Sequence, residues 1–119
     1  MFRKRTAKQP LNADTTVVTS QIVAEQELPI RLVIHFYDDE PLWTMLSCEE
    51  GPEDEGVAVH AEHLLTRNAG LEQVRELPQG AVATRYRPDD EWHVRQFRRN
   101  EHINEMLDTG EFRPTYPTW

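Results

Sequence analysis

The sequence predicts a single α+β domain, with an antiparallel sheet of four or five strands and short helices packed on one face. Its 119 residues fit one domain with one hydrophobic core. Short β-branched and aromatic runs, separated by clusters of Gly, Pro and Asp, are typical of antiparallel strands. Two segments, beginning at Ala61 and Leu71, instead place apolar residues at helical spacing.

The chain opens with a segment of different character from the rest. Residues 1–14 are basic and polar and include a proline, so we expect a flexible basic arm before the domain. Residues 15–19 are largely β-branched and suit a strand. Thr19 or Ser20 would equally cap a short helical turn leading to Glu25, so both interpretations stay open.

The clearest strand pattern covers residues 30–37. One face is wholly apolar (Ile30, Leu32, Ile34 and Phe36) and is expected to point into the core. Residues 38–41 interrupt with turn chemistry, and residues 42–48 resume as a strand with apolar groups on both faces. The pattern predicts an antiparallel hairpin whose second strand lies centrally in the sheet.

The later elements follow from the same rules, with one ambiguity. Residues 91–108 form either a short strand around Val94 or a helix that Asp89 or Asp90 caps and that ends near Leu107. The other predicted elements are a loop at 49–56, a third strand at 57–60, a helix at 61–67 stopped by a left-handed cap near Gly70, helical spacing over 71–77, and a fourth strand at 81–86. We place the domain at 15–110 and an extended, proline-rich tail at 111–119.

Bulk charge and cysteine content exclude several classes of function. The net charge of −8 argues against a general nucleic-acid binder, which needs Lys and Arg to neutralise phosphates. The single Cys48 excludes an intramolecular disulfide and a multi-cysteine zinc site. No apolar run reaches the length of a signal sequence or a membrane span, so we expect a cytoplasmic protein.

The most unusual feature is a run of acidic residues. Between Asp38 and Glu55 there are eight carboxylates and no Lys or Arg. Acids beside Gly and Pro are normally solvated, so they predict the rim of an interface with a basic protein, with an aromatic side chain as anchor. The predicted partner-binding residues are Tyr37, Asp38, Asp39, Glu40, Glu53, Asp54 and Glu55.

Catalytic chemistry is the alternative. His60 and His63 are three residues apart and, with His35 or an acid as third ligand, would suit a small metal-dependent or acid–base enzyme. The sequence has no His-Glu-x-x-His motif, no glycine-rich phosphate loop and no nucleophile elbow. We therefore predict no catalytic residue, cofactor or resident metal, and favour a non-enzymatic binding protein. A third possibility is a structural subunit of a homo-oligomer whose arm and Trp119 tail dock onto another copy.

One basic cluster lies inside the chain. Arg95, Arg98 and Arg99 stand close to His93 and His102. In the helical interpretation Arg95 and Arg99 lie one turn apart on a common face. Contact with phosphate is one use of such a cluster, but we expect it to pair with Glu91 and Glu105.

A resemblance to a known family rests on motifs spread over a little over half the chain. The motifs are Leu28-Pro29-Ile30 opening a strand to His35, Trp43-x-x-Leu46-Ser47, an acidic loop, Leu64-Leu65, Leu77-Pro78-x-Gly80-x-x-Ala83-x-Arg85, and Trp92. They resemble a bacterial family of unknown function that is grouped with immunity proteins of polymorphic-toxin systems. The hairpin turn departs from the family's tight Asp-Gly turn, because residues 39–42 are longer and lack the glycine. The resemblance implies an α+β fold and an immunity-like inhibitory role, with no catalytic residues.

Overall fold

The structure is a computed structural model that describes residues 10–26, 28–38, 42–51 and 53–112. In chain order the described elements are β1 (Thr16–Ser20), α1 (Gln21–Gln26), β2 (Leu32–His35), β3 (Trp43–Leu46), β4 (Gly56–His60), α2 (Ala61–Leu65), a 3₁₀ turn (Leu71–Val74), β5 (Ala81–Thr84), β6 (His93–Gln96) and α3 (Asn100–Asp108). Within these ranges no helix is long and apolar enough to cross a bilayer.

The strands form one mixed sheet in the order β4-β1-β3-β2-β5-β6. Every neighbouring pair is antiparallel except β1 and β3, which run parallel. The α+β class is confirmed, and so is the β2–β3 hairpin at the centre of the sheet. The described sheet has six strands rather than four or five, because both ambiguous segments, β1 and β6, pair with the predicted strands.

Helices cover both faces of the sheet rather than one. Successive residues of a strand point to opposite faces. Val33 packs with the apolar cluster that includes α1, α2 and the 3₁₀ turn, whereas Leu32 and Ile34 pack with the cluster that includes Ile103 of α3. All four residues of β2 are buried, so β2 packs through both of its faces and not only through the predicted apolar face.

At both ambiguous segments, the strand alternative and the helix alternative each describe part of the structure. Ser20 ends β1, and its hydroxyl accepts a hydrogen bond from the Val23 backbone N–H at 3.2 Å, so the residue is both the end of a strand and the cap of α1. At the other ambiguous segment, β6 ends at Gln96 and α3 begins at Asn100. The chain is therefore a strand over the first part and a helix over the second.

The described fold reaches slightly beyond the predicted boundaries. Leu11, placed in the arm by the sequence, is 1% exposed, and its N–H donates to the Arg75 carbonyl at 2.9 Å. Phe112, placed in the tail, packs against Phe97 and is also buried. The rest of the predicted arm, residues 1–9, and the tail from residue 113 to Trp119 lie outside the described residues.

Two buried arginines fasten the loops to the sheet. The Arg31 guanidinium donates to the carbonyls of Ser47 and Tyr86 and to the Glu49 carboxylate. The Arg85 guanidinium donates to the carbonyls of Ile30 and Ala69 and lies 4.1 Å from the centroid of the Trp92 ring. Burying a charge is costly unless hydrogen bonds or an opposite charge compensate it. Arg31 has both kinds of partner, whereas Arg85 has hydrogen bonds to carbonyls and the face of the Trp92 ring. Arg31 and Arg85 each lie within a strand pattern that is otherwise largely apolar, and this was the signal in the sequence that they are buried. Neither residue was predicted to have a role.

Candidate functional site

The hairpin separates the acidic residues into two groups at opposite ends of the sheet. Asp38 follows β2 at the end where His35 pairs with Trp43, whereas the 47–55 loop follows β3 at the end where Leu32 pairs with Leu46. Three residue steps along a strand separate these ends by about 10 Å or more. The structure thus does not bring Asp38 onto the same surface as the later acids. Asp39 and Glu40 lie outside the described residues.

Tyr37 belongs to the Asp38 end and is fixed by the fold. Its hydroxyl donates to the Phe97 carbonyl at 2.5 Å and accepts from the Gln96 side-chain amide at 3.0 Å. Its ring lies against Gly80, whose φ of 85° is in the left-handed region and where an added Cβ would collide with the phenol. The hydroxyl of Tyr37 therefore serves the packing of β6 against the hairpin, remote from the 47–55 loop.

Within the 47–55 loop, Glu50 turns inward. One carboxylate oxygen accepts from the Ser20 hydroxyl at 2.7 Å and from the Ser47 N–H and hydroxyl at 2.9 and 3.0 Å; the other accepts from the Cys48 N–H at 2.9 Å. Burial, the largest single influence, raises the pKa of Glu50, but the hydrogen bonds together outweigh it and leave the pKa below its ordinary value. Glu50 is a structural carboxylate that fastens the loop to β1 and β3.

Other acids of the loop divide into paired and unpaired groups. Glu49 forms an ion pair with Arg31 at 2.8 Å, and the Asp54 carboxylate accepts from the Gly51 N–H at 2.6 Å. Glu53 and Glu55 are exposed. Within the described part of the chain their side chains make no hydrogen bond or ion pair, so their charges face solvent just before β4 begins.

β4 is an edge strand with an open row of backbone donors. Among the described strands it pairs only with β1. The Gln21 N–H donates to the Glu55 carbonyl and the Ala61 N–H donates to the Thr15 carbonyl. Because hydrogen-bonded pairs alternate along an antiparallel ladder, the odd-numbered residues of β4 bond to β1. The N–H groups of the even-numbered residues, Gly56, Ala58 and His60, therefore point away from the sheet.

Within the residues that the structure describes, the β4 edge lacks the usual protection against pairing with another strand. Natural edges are blunted by Lys, Pro, a bulge or a very short strand. β4 has the sequence Gly-Val-Ala-Val-His and pairs with β1 over five consecutive residues without a bulge. At its far end two shallow cavities of about 400 and 320 Å³ flank His60. The edge, the exposed acids at its start and the hollows at its end form one continuous candidate surface.

The histidines of the alternative enzyme hypothesis do not converge. His60 and His63 are exposed and line the same cavity, whereas His35 is fully buried in β2. β2 and β4 are separated by β3 and β1, which places them about 14 Å apart across the sheet. No group of three or more potential metal ligands occurs among the described residues.

His35 itself is a core residue. Its ring stacks on Trp43 with centroids 3.9 Å apart, and Nδ1 lies 2.7 Å from the Leu77 carbonyl, which fixes Nδ1 as the protonated nitrogen. Nε2 is buried without a hydrogen-bond partner. Burial is the main cause that lowers the pKa of His35, against the opposing effect of the Leu77 hydrogen bond. The ring is therefore held neutral within the core.

Residues 77–85, the most specific part of the family resemblance, also have structural roles. The Leu77 carbonyl accepts from His35, the Gly80 N–H donates to the His35 carbonyl, and Arg85 joins two loops. The contacts of these motif residues thus stabilise the fold and do not form a binding site. Comparison with protein-family models, with curated proteins and with solved structures gave no match to this chain. The immunity-family resemblance stays a prediction from sequence motifs.

Proposed function

We propose that this protein is a non-enzymatic protein-binding module that adds an extended segment of a positively charged partner to the β4 edge. The observation that supports it is the open row of N–H groups at Gly56, Ala58 and His60, which begins beside the exposed carboxylates of Glu53 and Glu55. An inhibitor of the immunity type, covering a basic surface of its target, is one form of this function. A cytoplasmic location, where Cys48 stays reduced, is part of the proposal.

Recognition divides between backbone and side chains. Main-chain hydrogen bonds to an added strand supply affinity with little regard to sequence. Glu53 and Glu55 favour Lys and Arg near the start of β4 and repel acidic segments, which sets the choice of partner and speeds encounter at low salt. The resulting preference is for an extended, basic segment.

The test uses peptides of about ten residues, the upper length of an ordinary strand, that alternate Lys with Val or Thr. Full-length protein is expected to bind them, and to ignore matched peptides in which Glu replaces Lys. Ala58→Pro removes an outward N–H and is expected to abolish binding, whereas Ala58→Thr keeps the N–H and is expected to bind normally. Equal binding by the Pro and Thr variants, or no binding of basic peptides at all, would overturn the proposal.

The electrostatic part has its own control. The double variant Glu53→Gln/Glu55→Gln is expected to weaken peptide binding and flatten its salt dependence. Glu76→Gln/Glu105→Gln makes the same change in net charge at exposed residues away from β4. An equal loss in both double variants would assign the effect to net charge and contradict a local role for the loop.

A further inference from the structure

A second concave surface lies at the opposite edge of the sheet, where β6 leads into α3. The cavity measures about 430 Å³ and is lined by Arg95, Gln96, Phe97, Arg98, Arg99 and His102. Its volume falls within the range of small-molecule sites. Three arginines and a histidine thus line one hollow in a protein whose net charge is −8.

The floor of this cavity is a buried aromatic ring. In the sheet Arg95 pairs with Val82, so its side chain lies on the α3 face. The Arg95 guanidinium carbon is 5.0 Å from the centroid of the Phe97 ring, and the His102 ring meets Phe97 edge-on at 4.9 Å. Phe97 is 4% exposed, so its ring lies beneath the surface of the hollow, where it contacts the Arg95 guanidinium and the His102 ring.

The positive charges of the cavity have no carboxylate partners in the described part of the chain. The pairing with Glu91 and Glu105 that the helical interpretation predicts does not form there. The physical reason is that Arg95 lies on a strand and Arg99 is the residue before the first turn of α3, so the two are not one helical turn apart. No hydrogen bond to another described residue occupies the side-chain donors of the three arginines.

The amino end of α3 adds to the same field. Arg99 is the N-cap residue of this nine-residue helix and makes no capping hydrogen bond through its side chain. The N-terminus of a helix carries a partial positive charge. Glu101, the acid of the first turn, does not line the cavity.

We infer that this cavity binds the phosphate group of a small molecule. A guanidinium group presents a planar pair of donors that matches phosphate oxygens. Several guanidinium groups around one site favour a doubly charged phosphate ligand over a singly charged carboxylate ligand. The site is independent of the β4 edge, since β4 and β6 are the two outer strands of the sheet.

The experiment is a titration of the ¹⁵N-labelled full chain, followed by amide chemical shifts at low ionic strength. The probes are inorganic phosphate, glucose 6-phosphate and, as the uncharged control, glucose. We expect saturable shifts confined to the amides around β6 and the start of α3 with both phosphates, and none with glucose. Tighter binding of the sugar phosphate identifies a phosphorylated metabolite as the ligand class, whereas equal affinity identifies free phosphate; both support a phosphate site.

Single arginine variants decide whether the cavity is responsible. Arg95→Gln and Arg99→Gln are each expected to weaken phosphate binding at least tenfold, or about 1.4 kcal/mol, since each variant loses charge-assisted hydrogen bonds to the phosphate. Arg87→Gln, at an exposed arginine outside the cavity, is the matched control and is expected to bind normally. Shifts that do not saturate, or equal affinity in all three variants, would overturn the inference. Unchanged amide shifts elsewhere in each variant show that the fold is retained.

Discussion

Two titratable side chains inside the fold are held in opposite charge states by different means. Hydrogen bonds from Ser20, Ser47 and Cys48 keep Glu50 ionised although it is half-buried. Burial against Trp43 keeps His35 neutral. The sequence showed an acid in a Gly- and Pro-rich loop and a histidine on a strand. Neither environment could be read from the neighbours in sequence, because the donors to Glu50 come partly from β1 and His35 is stacked on β3.

Glu50→Gln is expected to destabilise the protein. The amide keeps one acceptor but turns a donor toward groups that are themselves donors, so the free energy of unfolding falls by about 1–3 kcal/mol. Chemical denaturation measures this difference. Glu53→Gln, at an exposed acid of the same loop, is the control and is expected to stay within about 0.5 kcal/mol. Equal stability of the two variants would contradict the structural role of Glu50.

Acid titration of stability gives a further check on Glu50. Because its folded pKa is lowered from 4.5, the stability it contributes is complete above that value and is lost as the pH falls through the folded pKa. In Glu50→Gln this acid-dependent loss is expected to be smaller than in the wild type.

His35 makes the stability of the protein depend on pH in a range above that of Glu50. Its folded pKa is lowered from 6.5, so the unfolded chain takes up a proton before the folded one does. Stability is therefore expected to be full above 6.5 and to decrease as the pH falls through that value toward the folded pKa. In His35→Phe, which keeps an aromatic ring beside Trp43, the decrease is expected to become shallower. His63→Phe, at an exposed histidine, should leave the slope unchanged, and the reverse pattern would contradict the assignment.

At the scale of elements, local patterns predicted the hairpin and the third and fourth strands, because each depends on nearby residues. The predicted left-handed cap of the 61–67 helix is wrong: α2 ends at Leu65 with Thr66 in the right-handed region, and Gly70, with φ of 89°, precedes the 3₁₀ turn instead. They could not predict the parallel pairing of β1 with β3, which depends on α1 and β2 returning the chain across the sheet. They also missed that α3 covers the second face, since the helix and strand patterns of residues 91–108 overlap in sequence.

The orientation of the β4 backbone makes a prediction about proline. Ala58→Pro removes an N–H that points to solvent and is expected to change the free energy of unfolding little. Val59→Pro removes an N–H that bonds to β1 and is expected to lower the free energy of unfolding by about 1–3 kcal/mol, the cost of leaving the partner carbonyl without its hydrogen bond. Thermal or chemical denaturation compares the two. A larger loss in Ala58→Pro than in Val59→Pro would reverse the assigned orientation.

At the scale of the whole molecule, the two outer strands of the described sheet adjoin surfaces of opposite charge. Exposed acids precede β4, and the arginine-lined cavity adjoins β6. Five strand spacings separate these edges by about 24 Å, more than twice the Debye length of about 10 Å at 0.1 M salt, so the charges at one edge are largely screened from those at the other. The sequence predicted an acidic surface from a contiguous stretch, but the hairpin divides that stretch between two ends of the sheet. Glu53 and Glu55 lie in the part that precedes the β4 edge.

Amide hydrogen exchange of β4, with and without a basic extended peptide, tests the docking edge most directly. In the protein alone, the Ala58 N–H is expected to exchange faster than those of Val57 and Val59, which bond to β1. On saturation with peptide, the amides of Gly56, Ala58 and His60 are expected to become protected, while those of Val57 and Val59 change little. Peptide binding that leaves the Ala58 amide exchanging at its original rate would contradict strand addition at β4.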